Sequence, residues 1–225
     1  MSNGGFPKNF STLSRMTAID RQRHRGAVIW LTGLSGAGKS TIAQDVAARL
    51  KAYGVRAEIL DGDAMRQTIS HGLGFSKEDR NENVRRVGIA ADHLCRRGLV
   101  VLAALISPYR AARESVRARV DPFIEVYVNA PLEICEKRDL KGLYRKARNG
   151  ELRAFTGISD IYEPPAAPEV VCHTDRESVE HSARKVVAAV LREIWRPQSQ
   201  TLAPVAAGTS RSRFRRRAAA LPRGR

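Results

Sequence analysis

The stretch Gly33-Leu34-Ser35-Gly36-Ala37-Gly38-Lys39-Ser40 decides the fold. It matches G-x-x-x-x-G-K-[ST], the phosphate loop that joins a strand to a helix. Glycines permit positive φ and let backbone N–H groups close around a polyphosphate. The helix that follows adds its positive end. In this pattern Lys39 reaches the β- and γ-phosphates, the Ser40 hydroxyl sits on Mg²⁺, and Thr41 is a neighbouring donor. The expected triphosphate site is therefore Gly33, Leu34, Ser35, Gly36, Ala37, Gly38, Lys39, Ser40 and Thr41. The loop implies a nucleoside triphosphate and a metal ion, but no particular reaction.

The flanks agree with the loop. Gly26–Leu31 is a short β-branched and aromatic run of the kind that forms a buried strand. After the loop, Ile42, Val46 and Leu50 recur at helical spacing within Thr41–Tyr53, and Gly54 is a stop signal. Further strands are predicted at Val55–Leu60, Leu99–Ile106, Asp121–Val128 and Val170–Cys172. Helices are predicted at Ala64–Ser70, Asn81–Arg97, Leu132–Asp139 and Val179–Trp195. Leu99–Ile106 is apolar at every position, as in a parallel strand covered on both faces. Leu140–Leu152 is basic and is expected to be mobile. The alternation predicts an α/β fold, a doubly wound parallel sheet with flanking helices of the P-loop NTPase type.

With 225 residues and 43% hydrophobic side chains, the chain suits one medium domain plus tails, and a wholly disordered chain is excluded. The net charge of +16 is uneven. Met1–Arg25 carries five basic residues and one acid, and Arg196–Arg225 carries eight arginines and no acid. The expected organisation is a basic N-terminal arm over 1–25, one domain over 26–195, and a disordered basic tail over 196–225. Charge concentrated at the ends says little about the central domain. Cys95, Cys135 and Cys172 are odd in number, widely spaced and without a C-x-x-C pair, which argues against a disulfide framework or zinc site. A reduced, cytoplasmic protein is expected. The longest apolar run falls far short of the ~20 residues a membrane helix needs, so no membrane partner is expected.

Four further segments carry chemistry. Asp61-Gly62-Asp63 ends the second strand, and ligands of open α/β sheets gather at the carboxyl ends of strands. Two acids there would hold metal-bound water or orient an attacking hydroxyl. Asp63 as the cap of a helix from Ala64 is the plainer role, and the two are compatible. Arg66, Arg80 and Asn83 can converge on an anion, with Phe75 offering a flat face to a ring. Considered alone, the segment reads better as a solvated helix face. Ser107, at the end of the apolar strand, sits where a substrate contact would lie, or caps a helix with Pro108 at its first position. The basic run Asp139–Arg148, followed by Phe155-Thr156-Gly157, reads beside a phosphate loop as a lid. Alone it would be an ordinary basic surface helix.

In this order, GLSGAGKST, LDGD, GLGFSKEDRNENVRRV, ISPYR, PFIEVYV, KGLYRKAR and FTGISDIYEPP resemble the adenylylsulfate kinase family over Gly26 to Trp195. The resemblance implies transfer of the γ-phosphoryl group of ATP to the 3′-hydroxyl of adenosine 5′-phosphosulfate (APS), giving PAPS and ADP in sulfate assimilation. It assigns ATP and Mg²⁺ to Gly33–Thr41, with Ser40 and Asp63 at the metal. It makes Lys39, Asp61, Asp63 and Ser107 the catalytic set. The implied APS pocket is Asp63, Arg66, Phe75, Arg80, Asn83, Ile106, Ser107, Lys141 and Phe155. Phe75 and Phe155 clamp the adenine in that picture, and Arg66 and Arg80 hold the phosphosulfate. Arg148 lies near the ATP base, with Cys172 and Thr174 close by. In that family the serine of ISPY is described as a phosphoserine. Direct in-line transfer with Ser107 as a contact is the expectation here, because the phosphate loop needs no relay. Similar enzymes are often dimers, which implies a homodimer.

Two positions depart from the family pattern. Leu140 stands where proline is common, and Ile69-Ser70-His71-Gly72 differs from the usual polar run. The basic C-terminal tail is also atypical, and a stand-alone kinase without an ATP sulfurylase domain is expected. Two other readings compete. One is a kinase of another nucleoside or small alcohol on the same scaffold. The other is a nucleic-acid-binding protein using its basic ends. Phe214 is an isolated aromatic among the tail arginines and makes no RNA-binding signature, so nucleic acid is not the expected partner.

Overall fold

The computed structural model describes residues 24–195. The predicted tail, and the predicted arm apart from His24 and Arg25, lie outside those residues. Strand β1 (Ala27–Thr32) is buried at every position and sits at the centre of the sheet. It pairs in parallel with β3 (Val100–Ala104) on one side and β4 (Phe123–Asn129) on the other. Strands β2 (Ala57–Asp61) and β5 (Val170–His173) form the edges, giving the order β2-β3-β1-β4-β5, all parallel. The apolar runs of β1 and β3 follow from this placement, since a central strand in a doubly covered sheet has no wet face.

Alternation along β1 divides the core. Ala27, Ile29 and Leu31 face one apolar cluster, which also receives helices α1 (Lys39–Ala52) and α7 (Val179–Ile194). Val28 and Trp30 face a second cluster, which receives α3 (Lys77–Arg96) and, through Val116, α4 (Arg110–Arg117). Each fully buried Ile, Leu or Val stabilises the fold by about 1.5–3 kcal/mol relative to exposure. Among the described residues there are also three short helices: α2 (Gly62–Gln67), α5 (Leu132–Arg138) and α6 (Leu143–Arg148). The doubly wound parallel sheet read from the sequence is the fold observed.

Three local expectations are corrected. Helix α3 begins at Lys77, a turn before Asn81, because Ser76 accepts a hydrogen bond from Asp79 N and caps it. Its charged first turn contributes nothing to the apolar spacing that marks the rest. Leu140–Leu152 is not a free segment, because it contains α6 and buries Tyr144 and Ala147. Ser107 caps no helix. Its φ is 40°, and α4 starts three residues later with Tyr109 as N-cap.

Candidate active site

The phosphate loop leaves β1 with Gly33, where an added Cβ would overlap the carbonyl oxygen of Val128. It enters α1 through Gly38, whose φ of 101° no side-chain cap accompanies. Neighbouring elements hold the loop by its carbonyl oxygens. Tyr144 Oη donates to Ser35 O at 2.9 Å, and Thr174 Oγ1 donates to Ala37 O at 2.7 Å. Arg138 donates to Gly36 O at 3.2 Å and to Thr174 O at 2.6 Å. Across a trans peptide the N–H opposes the C=O. Pulling carbonyls outward therefore turns amide groups toward the loop's concave side, where an anion fits.

Lys39 Nζ curls over the loop and donates to Gly33 O at 3.0 Å and Leu34 O at 2.7 Å. Burial pushes its amine down to about 8, against the raising influence of Cys135, Asp63 and Asp61. Its charge is thus under-solvated in this structure, and a phosphate oxygen would supply what the two carbonyls do not.

The two acids after β2 have different tasks. Asp61, not Asp63, caps α2: its carboxylate accepts from Asp63 N at 3.0 Å. The other Asp61 oxygen accepts from Ser40 Oγ at 2.6 Å. The exposed carboxylate of Asp63 instead pairs with the Lys141 ammonium. Asp63 lies within electrostatic reach of both Lys39 and Arg66 and raises the pKa of each. Ser40 and Asp61 offer hard oxygen donors side by side. That suits Mg²⁺, which takes one or two protein oxygens and fills its octahedron with phosphate and water. Among the described residues no three His, Cys, Asp or Glu side chains cluster to cage a metal by themselves.

Phe75 is exposed, with the Arg66 guanidinium 4.4 Å and that of Arg80 5.5 Å from its ring centroid. Arg66 is steadied by Leu73 O and Gly74 O. Arg80 is buried and donates to Phe75 O at 3.0 Å and Ala154 O at 2.7 Å. Burial lowers the pKa of both arginines, and the proximity of Arg80 lowers that of Arg66 further, so the pair favours an anion as a third partner. One turn along α3, the amide oxygen of buried Asn83 has no partner, nor has the hydroxyl of buried Thr156. Buried polar atoms without partners are rare and mark a place for a ligand or water. Phe155 stands edge-on to Tyr144, centroids 5.0 Å apart.

Ser107 is buried. Its Oγ accepts from Trp30 Nε1 at 3.0 Å and donates to Thr32 Oγ1 at 3.1 Å. Its carbonyl accepts from Arg113 at 2.6 Å, and Arg113 also reaches Glu125 and Glu163 O. Thr32 Oγ1 donates in turn to the carbonyl of Ile106 at 2.7 Å. The non-glycine residues with positive φ among those described are Ser107 and Ala154, and a buried arginine holds the carbonyl of each.

The expected base-side residues are spread out. Arg148 pairs with Glu136 at 2.6 Å, which ties α6 to α5. Thr174 braces the loop as described. Cys172 is fully buried in the core, with its thiol on Ser182 O, so it presents no side chain to a nucleotide. Sequence reasoning missed Arg138, Arg113, Tyr144 and Asp160 as supports of the site. Only the basic last turn of α5 hinted at Arg138.

The family profile "Adenylylsulphate kinase" matches residues 25–173. An adenylyl-sulfate kinase of Picosynechococcus sp. is 57% identical over 164 residues, 73% of this chain and 93% of that relative. A solved structure of a Mycobacterium tuberculosis APS kinase in complex with AMPPNP and APS is 41% identical, with a TM-score of 0.71, over 75% of this chain and 99% of that one. A hexameric APS kinase from Thiobacillus denitrificans is 30% identical, with a TM-score of 0.58, over 86% of this chain and 34% of that one.

Proposed function

The chain belongs to the adenylylsulphate kinase family, and from that premise we propose that Gly33–Thr41 hold ATP while Arg66, Phe75, Arg80, Asn83 and Phe155 hold APS. The protein is an ATP-dependent kinase. It moves the γ-phosphoryl group to the 3′-hydroxyl of adenosine 5′-phosphosulfate and yields PAPS and ADP. The observation that carries the residue assignment is the position of Asp63, in electrostatic reach of Lys39 on the donor side and Arg66 on the acceptor side.

Phosphoryl transfer passes through a loose transition state, so placement and charge neutralisation matter more than a strong base. Lys39 leaves the carbonyls of Gly33 and Leu34 and takes the β- and γ-phosphate oxygens. Loop amides and the amino end of α1 add positive potential where charge develops. Ser40 and Asp61 would hold Mg²⁺, which neutralises the β- and γ-oxygens when bound. Asp63 orients the 3′-hydroxyl in line, and Lys141, already on Asp63, is placed to move with it toward the acceptor. Ser107 is a fixed contact rather than a relay, because its hydroxyl is buried, gives its proton to Thr32 Oγ1 and accepts from Trp30 Nε1.

We also propose a homodimer in a reducing cytoplasm. The dimer rests on the resemblance of sequence alone, and sedimentation tests it. The compartment rests on three buried free thiols, Cys95, Cys135 and Cys172. No helix among the described residues is long and apolar enough to cross a membrane.

The deciding assay is incubation with ATP, Mg²⁺ and APS, followed by chromatography for PAPS. Lys39→Ala is expected to lower turnover by on the order of 10² or more, the loss typical of one preorganised charge. Wild-type turnover in that variant refutes the loop's role.

A further inference from the structure

Asp160 lies outside every element of regular structure, yet its carboxylate touches three parts of the acceptor side. One oxygen accepts from its neighbour Ile161 N at 2.9 Å, which fixes the side chain on its own loop. The other accepts from Tyr109 Oη at 2.8 Å, at the start of α4. That same oxygen stands 3.6 Å from Arg80 Nε on α3, with only 7% of the Arg80 side chain and 18% of the Asp160 side chain exposed. The backbone of Asp160 closes the tight turn that begins at Phe155: its N–H donates to Phe155 O and its carbonyl accepts from Gly157 N. Two of the five donors of Arg80 go to Phe75 O and Ala154 O. The rest of the guanidinium is what the pocket offers an anion, and its plane is set by these contacts.

We infer that Asp160 is a positioning residue for the kinase reaction: it aims Arg80 at the anionic phosphosulfate and locks that aim to the turn bearing Phe155. The inference rests on the assignment of Arg80 to APS made above. Two features separate this role from simple packing. A buried guanidinium close to a carboxylate keeps its charge without giving up its donors, because Asp160 is held by Tyr109 and Ile161 rather than by Arg80 itself. Tyr109 keeps its proton throughout, since burial and the bond to Asp160 push its hydroxyl up to about 12. The anion grip and one face of the adenine clamp therefore share a single fastening, which acts on the acceptor and not on ATP.

The test compares steady-state KM values for APS and ATP in the full-length chain. Asp160→Asn keeps the shape and the bond to Tyr109 but removes the charge. It is expected to raise KM for APS roughly tenfold, the scale of one misaligned charge-assisted contact, with KM for ATP changed less than twofold. Asp160→Glu restores the charge and is expected to recover part of the loss. Should the asparagine variant fail to fold by circular dichroism, Tyr109→Phe frees the carboxylate while keeping the charge, with the same split expected at smaller size. An unchanged or lowered KM for APS, or equal rises for both nucleotides, overturns the inference. Arg80→Ala run alongside separates the two claims. If that variant also leaves KM for APS unchanged, the assignment of Arg80 has failed. If it raises KM strongly while Asp160→Asn does not, only the role of Asp160 has failed.

Discussion

Replacing Arg113 with methionine removes a buried cation with three acceptors. The side chain is 1% exposed, and it donates to Glu125 Oε1 at 2.7 Å, Ser107 O at 2.6 Å and Glu163 O at 2.8 Å. Breaking one side of a buried ion pair typically costs about 3–5 kcal/mol, because the remaining charge is stranded. Two orphaned carbonyls add to that, by about 1–3 kcal/mol each where no water reaches them. Arg117, 3.3 Å from the other Glu125 oxygen, keeps part of the compensation, and methionine refills most of the volume. A net loss of about 4 kcal/mol follows. For a domain of this size each kcal/mol lowers Tm by about 2–4 °C, so a fall of roughly 8–16 °C is expected. Thermal denaturation followed by circular dichroism measures it. The double variant Arg113→Met/Glu125→Met removes the stranded charge and is expected to regain about half the loss. A single variant that melts within about 3 °C of the wild type, or a double variant no more stable than the single one, refutes the reasoning.

Lys39 gives a pH signature. Its amine titrates near 8 in the free enzyme, and a bound triphosphate raises it again, so binding takes up a proton. Calorimetry in buffers of different ionisation enthalpy is expected to show uptake of about half a proton at pH 8 and about a tenth at pH 7; release, or none at either pH, contradicts the placement of Lys39. Gly33→Ala puts a methyl group against the carbonyl of Val128, and the strand cannot retreat without disturbing the sheet. ATP affinity by titration is expected to fall roughly tenfold or more, and an unchanged affinity means the loop turns another way in solution.

Much of this was legible in the chain because the informative signals were local. The phosphate loop, the all-apolar β3 and the four-residue spacing in α1 each depend on neighbours a few positions away. Helix α4 was legible only as a start signal at Ser107 and Pro108, not in its packing. Its buried residues are Arg113 and Val116, and a charged residue that is buried only because Glu125 and Glu163 surround it leaves no apolar period. The division of labour between Asp61 and Asp63 was also hidden, since two acids around one glycine look alike until one caps a helix and meets Ser40. The supports Arg138 and Asp160 act on carbonyls or side chains as many as 102 positions away, a relation that no local pattern encodes. The basic run after α5 suggested a loose flap because charge masks Tyr144, which anchors it to the phosphate loop.

The arginine-held carbonyls of Ser107 and Ala154 bear on any attempt to transplant this specificity. Each of these residues sits in a backbone conformation that costs of order 1–3 kcal/mol and persists only under constraint from its surroundings. The constraint here is a side chain rooted elsewhere, Arg113 beside Glu125 for one and Arg80 for the other. Grafting Phe75, Asn83 and Phe155 onto another phosphate-loop scaffold would carry over the surface of the pocket without its mould. The chain would relax at the two strained positions, and the grafted aromatics would point elsewhere. A successful transfer must move the buried arginines and the acid of β4 first, and choose the visible lining residues afterwards.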